Sequence, residues 1–165
     1  MVKIIIGIMG PGDGATDADI TAAYALGQGV ADQGWVVLTG GRNVGVMDAA
    51  SRGAKSVGGL TVGILPTATA SQQSSAVDIA ILSDLGNGRN NLNVLSSHVV
   101  VACGLGIGTT SEIALALKAN RPVVMLRSSL DCYHFFQQLT QQPIGWATTV
   151  DQAMEQIHQQ LAELS

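Results

Sequence analysis

A doubly wound α/β fold, a parallel sheet with helices on both faces, is the class this sequence predicts, and three observations predict it. Short runs rich in β-branched residues alternate with longer stretches of helical period. Most of the short runs are apolar almost throughout, as strands covered on both faces must be. Clusters of glycine follow several of these runs, where strands of this class turn into the next helix. The chain has 165 residues, and at roughly 150 residues per domain a single domain over the whole length is expected.

The first strand is read over residues 2–9 and leads into Gly10-Pro11-Gly12-Asp13-Gly14. A helix over 17–33 follows, with Thr16 placed to cap it, Asp19 at its third position, and Ile20, Ala23, Tyr24 and Gly27 recurring on one face. Then come a strand at 35–39, the loop Gly40-Gly41-Arg42-Asn43-Val44-Gly45, a helix at 47–56 and a strand at 60–65. Residues 66–75, rich in Thr, Ser, Ala and Gln, are too polar to pack and too long for an ordinary turn, so a mobile surface loop is expected. A strand at 77–82, a helix at 90–97 and a strand at 98–103 lead to Gly104-Leu105-Gly106-Ile107-Gly108, then a helix at 109–119 and a strand at 122–126. Residues 130–142 concentrate Tyr133, His134, Phe135 and Phe136, and read as a helix at the sheet edge or at a subunit contact. The closing helix, 151–164, directs Ala153, Met154, Ile157, Leu161 and Leu164 inward and Gln156, Gln159 and Gln160 outward. The alternation as a whole is Rossmann-like.

Composition narrows the function. With 47% hydrophobic residues, 12% charged and a mean hydropathy of +0.32, the chain has a core to bury and is not a disordered segment. A net charge of −4, with Lys and Arg scattered singly, gives no basic stripe for a nucleic-acid partner. No apolar stretch reaches the roughly 18 to 20 residues that span a bilayer, so no membrane partner is expected. The glycine-rich loop after Met9 stands where a signal peptide would continue. Cys103 and Cys132 fit neither a disulfide framework nor a metal-ligand spacing, so a reducing cytoplasm and no metal site are expected.

Glycine accounts for 20 of 165 residues, and the excess sits at the carboxyl ends of strands, where open parallel sheets bind ligands. Three such loops, each feeding a helix N-terminus, bring unpaired backbone N–H groups toward one crevice suited to phosphate. The candidate ligand-binding residues are Gly10, Gly12, Gly40, Gly41, Arg42, Asn43, Gly106, Gly108, Thr109 and Thr110. Gly10, Gly12 and Ala15 fit a dinucleotide spacing, but the second strand ends in Thr39-Gly40-Gly41 where an acidic residue would take the ribose, so NAD is not expected. No nucleoside-triphosphate loop occurs, and Lys3, Lys55 and Lys118 sit at strand-start or solvated helix positions unsuited to a pyridoxal phosphate Schiff base.

Taken together, Thr39-Gly40-Gly41-Arg42-Asn43-Val44-Gly45-Val46-Met47, Gly88-Arg89-Asn90 and Gly106-Ile107-Gly108-Thr109-Thr110-Ser111-Glu112 resemble the signature of the Lonely Guy, or SLOG, superfamily. Within it the resemblance is nearest to the molybdenum cofactor carrier proteins, and it runs from the first strand to about residue 126. It implies a binding protein that holds the molybdenum cofactor, a phosphorylated molybdopterin with its metal, and assembles as a homodimer or homotetramer. The enzymes of the superfamily instead hydrolyse the N-glycosidic bond of nucleoside 5′-monophosphates with an Arg and the Glu of a PGGxGTxxE motif. Arg89 and Glu112 fall at those two places, and Gly108 and Thr109 at its Gly-Thr. Gly104-Leu105-Gly106 stands where the enzymes have Pro-Gly-Gly, and Asn90 where they have Lys. A carrier and, as the alternative, a phosphoribohydrolase with Arg89 and Glu112 as its catalytic pair therefore both stand. A helix starting at Thr109 would place Glu112 in its first turn, where the macrodipole favours a carboxylate.

Overall fold

A computed structural model describes residues 2–164. The near-continuous apolar runs form strands β1 (Ile5–Met9), β2 (Val36–Thr39), β3 (Thr61–Leu65), β4 (Ile79–Leu82), β5 (Val99–Cys103) and β6 (Val123–Leu126), joined by β7 (Gly145–Ala147). They make one sheet in the order β4-β3-β2-β1-β5-β6-β7, every neighbouring pair parallel. This is the doubly wound Rossmann-like fold that the alternation predicts. β7 is absent from the sequence reading because three residues opening on Gly145 carry no period; it exists through its register with β6, Val124 opposite Gly145.

Among the described residues six α-helices cover the two faces: α1 (Asp17–Asp32), α2 (Gly45–Ser56), α3 (Arg89–Leu95), α4 (Ile107–Lys118), α5 (Leu130–Gln137) and α6 (Val150–Glu163). α1, α2 and α6 bury Leu26, Val30, Ala50 and Ile157 against Ile6, Ile8 and Val37, while α3, α4 and α5 bury Val94, Ile113 and Phe136 against Met9, Leu38 and Met125. α1 begins at a capping box: the Thr16 hydroxyl accepts from the Asp19 N–H, and the Asp19 carboxylate accepts from the Thr16 N–H. Among the described residues no helix is long and apolar enough to cross a membrane.

Several expectations are corrected. Ile20 and Tyr24 are more than one-third exposed; the inward face of α1 is instead Ala23, Leu26, Gly27 and Val30. The cause is a backbone contact between α1 and α2, in which a Cβ at Gly27 would meet the Ala50 carbonyl and one at Gly53 the Tyr24 carbonyl. On α6, Gln160 is buried, its amide donating to the Pro143 carbonyl at 3.2 Å, whereas Leu164 is exposed. α5 ends at Gln137; Phe136 enters the core and Phe135 stays in solvent. α4 starts at Ile107, so Glu112 lies in its second turn and gains little from the helix terminus. β4 is not covered on both faces, since all four of its residues are exposed.

The polar loop 66–75 is fastened rather than loose. The Asn43 N–H donates to the Gln72 carbonyl at 2.8 Å, the Ser74 N–H to the Gly41 carbonyl at 2.9 Å, and Arg42 forms an antiparallel bridge with Gln73. The fully buried Ser74 hydroxyl donates to Asp48 at 2.6 Å. The loop therefore fixes the backbone on either side of Arg42.

Candidate functional site

β1 pairs with β2 on one side and β5 on the other, so the chain winds away in both directions from it. A crevice opens at the carboxyl end of such a switch point. Here it is a cleft of about 420 Å³. Gly10 makes it possible, because a Cβ there would lie 2.5 Å from the Cys103 carbonyl oxygen and 2.6 Å from a Val46 methyl. Of the residues predicted from sequence, the cleft brings together Gly10, Gly12, Gly40, Arg42, Gly106, Gly108, Thr109, Arg89 and Glu112.

Three predicted residues are placed elsewhere. Gly41 turns the chain at φ +76° against Gly63, and its N–H is already taken by the Thr39 hydroxyl at 3.0 Å. Asn43 lies in a separate groove with Tyr24, Asp48 and Arg52. Thr110 is exposed, its N–H closing the first turn of α4 on the Gly106 carbonyl. Conversely, Met9, Asp13, Met47 and Asn87 line the cleft and went unpredicted. The position of Met47, two residues into α2 after a glycine loop, was the available signal for it.

Arg89, at the start of α3, reaches across the carboxyl ends of β2 and β3. Its Nη1 donates to the Gly40 carbonyl and, at 2.8 Å, to the Ile64 carbonyl. Gly40 has no side chain because one would occupy the guanidinium's place. Burial pulls Arg89 below its ordinary value; Glu112 acts against this, and the neighbouring positive charge of Arg42 adds to it. Glu112 is only 7% exposed and accepts from the Asn93 amide at 3.1 Å. Burial pushes its carboxyl up to about 7, although the Asn93 hydrogen bond and Arg89 both pull it down.

Three buried donors in this cleft have no partner: Arg42 Nε, Arg89 Nε and the Thr109 hydroxyl. Unpaired buried polar atoms are rare in folded proteins, and three of them on residues that line one cleft call for an explanation. Nearby Cys103 is a free, buried thiol. Burial and then the Asp19 charge push its thiol up to about 12, and its Sγ donates to the Asp19 carbonyl. Among the described residues no three His, Cys, Asp or Glu side chains gather as a metal site.

The family model for SLOG cluster4 matches residues 3–157. The chain belongs to the SLOG cluster4 family. Its fold is similar to that of the molybdenum cofactor binding protein from the phototrophic bacterium Rippkaea orientalis, at 53% identity and TM-score 0.95 over 98% of this chain and 99% of that one. It is also similar to the Moco carrier protein from Chlamydomonas reinhardtii, at 45% identity and TM-score 0.92 over the same shares. An Archaeoglobus fulgidus protein is 42% identical over 122 residues, 74% of this chain and 79% of that protein. This SLOG cluster4 chain therefore shares its fold with a molybdenum cofactor binding protein and a Moco carrier protein.

Proposed function

We propose that this SLOG cluster4 protein binds and stores the molybdenum cofactor, a phosphorylated pterin with its metal, in the cleft at the β1/β5 switch point. The observation that carries the reading is the set of unpartnered donors on Arg42, Arg89 and Thr109, framed by glycine loops whose backbone admits a ligand closely. The similarity to the two carriers supplies the pterin. Gly10, Gly12, Gly40, Gly106 and Gly108 shape the walls, and Arg42 and Thr109 hold anionic oxygens. The phosphoribohydrolase alternative is less well supported. Arg89 spends one guanidinium nitrogen on two backbone carbonyls, and Glu112 is turned onto Asn93.

Native mass spectrometry of protein purified from cells that make the cofactor tests this. A mass increment matching the phosphorylated metal pterin is expected; a nucleotide in its place would overturn the reading. In calorimetry with AMP as a phosphorylated stand-in, Arg42→Ala should weaken binding by about 1.5 to 3 kcal/mol, roughly 10- to 150-fold. Unchanged affinity with the fold intact would place the phosphate elsewhere.

The same proposal includes a homodimer or homotetramer. Ile79, Ile81 and Leu82 on edge strand β4 are each nearly half exposed, and Leu85, Leu95 and Ile107 are exposed as well. A monomer rarely leaves so much apolar surface in water. Sedimentation should report a multiple of 17.0 kDa; a single-chain mass at micromolar concentration would refute it.

A further inference from the structure

We propose that Glu112 is a proton site of the cleft: an anionic ligand binds together with a proton held on Glu112, and loss of that proton releases the ligand. The proposal deepens the carrier reading and rests on it for the ligand, whereas the proton rests on the side chains around Glu112.

Those surroundings suit an acid better than a carboxylate. Glu112 is 7% exposed, and among the described residues it forms no ion pair. Asn93 of α3 donates its amide N–H to Oε1 at 3.1 Å. The other half of that amide, Asn93 Oδ1, is buried and has no donor. Solvent does not supply one, since Asn93 is 0% exposed. Nor does Arg89, one turn earlier in α3: its Nη1 is spent on Gly40 and Ile64, and its Nε–H finds no partner. A proton on the second carboxyl oxygen of Glu112 does supply it, so that acid and amide each donate to the other. An ionised Glu112 can only accept, and it leaves Oδ1 orphaned beside a negative charge. In keeping with this, burial pushes the carboxyl up to about 7.

Glu112 lines the cleft together with Arg42, Arg89 and Thr109, and this couples its proton to the ligand. In the empty cleft the charge of Arg89 draws Glu112 toward ionisation. An anion against the guanidiniums cancels that pull and adds a like charge of its own, so Glu112 takes up a proton as the ligand enters. The linkage is reciprocal: ionising Glu112 weakens the ligand by the same factor.

The other charged groups around Glu112 leave the titration to it. The loop after β2 and the start of α3 present Arg42 and Arg89, guanidiniums that do not titrate near neutrality. Asp13, on the loop after β1, is exposed at the cleft. On α4 itself the other charge is Lys118, at the far end, and Arg121 beyond it donates to the Leu95 carbonyl. β6 has no ionisable residue, and Cys103 of β5 turns its thiol to the Asp19 carbonyl. Asp131 and His134 of α5 are exposed.

Calorimetry with adenosine 5′-sulfate tests this, because a sulfate ester keeps one negative charge near neutrality and any titration then belongs to the protein. With the carboxyl titrating at about 7 in the empty cleft, affinity should fall about tenfold from about pH 6 to pH 8. At the higher pH, buffers of different ionisation enthalpy should reveal close to one proton taken up per ester bound. Glu112→Gln should bind with one affinity across the range and take up no proton. In infrared difference spectra the ester should raise the carbonyl band of a protonated carboxyl in the wild type and not in Glu112→Gln. The proton count needs only the wild type and stands whether or not the variant folds. A wild-type affinity independent of pH, with no proton uptake, would overturn the inference and leave the carrier reading in place. A slope that persists in Glu112→Gln would do the same, since another group would be titrating. No binding of the ester at any pH would overturn the anion cleft, and the carrier reading with it.

Discussion

Gly27→Val is expected to lower stability by more than about 3 kcal/mol, beyond the usual cost of overpacking a core. The obstacle explains the size. A Cβ at Gly27 meets the backbone carbonyl of Ala50, and the reciprocal contact at Gly53 meets that of Tyr24, so neither helix has a side chain that can turn aside. α1 and α2 would have to separate along their length, opening the layer that holds Leu26, Val30 and Ala50. For a chain of this size the melting temperature should fall by about 6 to 12 °C or more. Gly29→Ala in the same helix is the control. Its new methyl meets the flexible Met154 side chain at 3.2 Å, and the gain in helix propensity is up to about 1 kcal/mol. Thermal melts followed by circular dichroism should show the first variant far below the wild type and the second close to it. A Gly27→Val melt within two or three degrees of the wild type, about 1 kcal/mol by the same conversion, would mean the helix backbones are not in contact.

That contact also shows where the sequence was legible and where it was not. Strands buried on both faces announce themselves as unbroken apolar runs, and the capping box at Thr16 and Asp19 is local chemistry, readable without a fold. Of the four residues read onto the inward face of α1, Ala23 and Gly27 do face in, but Ile20 and Tyr24 do not, because a backbone contact at the glycine leaves no room for large side chains beside it. In the site, topology made the glycine loops readable: once the sheet is parallel, the residues after β1, β2 and β5 must share one edge. Which members of each loop face the cleft was not readable. In Gly41-Arg42-Asn43 only the middle residue points in, because its neighbours' backbones are bonded to Ser74 and Gln72, 29 or more positions along the chain. Asn87 reaches the cleft only through the fold of the segment after β4. The role of Glu112 turned on a helix start displaced by two residues, enough to move it from an exposed first turn into a buried second one.

Glu112→Gln is therefore expected to remove a pH dependence of stability that the wild type shows. The folded carboxyl holds its proton up to about 7 against an ordinary 4.5. Between those values the folded state binds a proton that the unfolded state releases, so stability is fully present below 4.5 and is lost as pH rises through 7. The gap corresponds to about 3 kcal/mol. The substituted amide keeps the oxygen that accepts from Asn93 but cannot ionise. Urea titrations from pH 4 to 8 should find the two proteins alike at the acid end and the variant more stable by up to about 3 kcal/mol at the other. Other titrating groups are common to both proteins and cancel in the difference. Asp19 is held low because its Thr16 and Arg127 hydrogen bonds outweigh the upward push of burial, so it acts only below this window. Parallel profiles with no divergence would show that Glu112 is already ionised in the fold. The same variant bears on function. In a carrier it should bind an anion at least as well as the wild type, since a charge that opposes the ligand has been removed. In a phosphoribohydrolase it should cut AMP hydrolysis by roughly 10² to 10⁴. Loss of such a turnover, assayed as released adenine, would return Glu112 to the catalytic role its motif position implies.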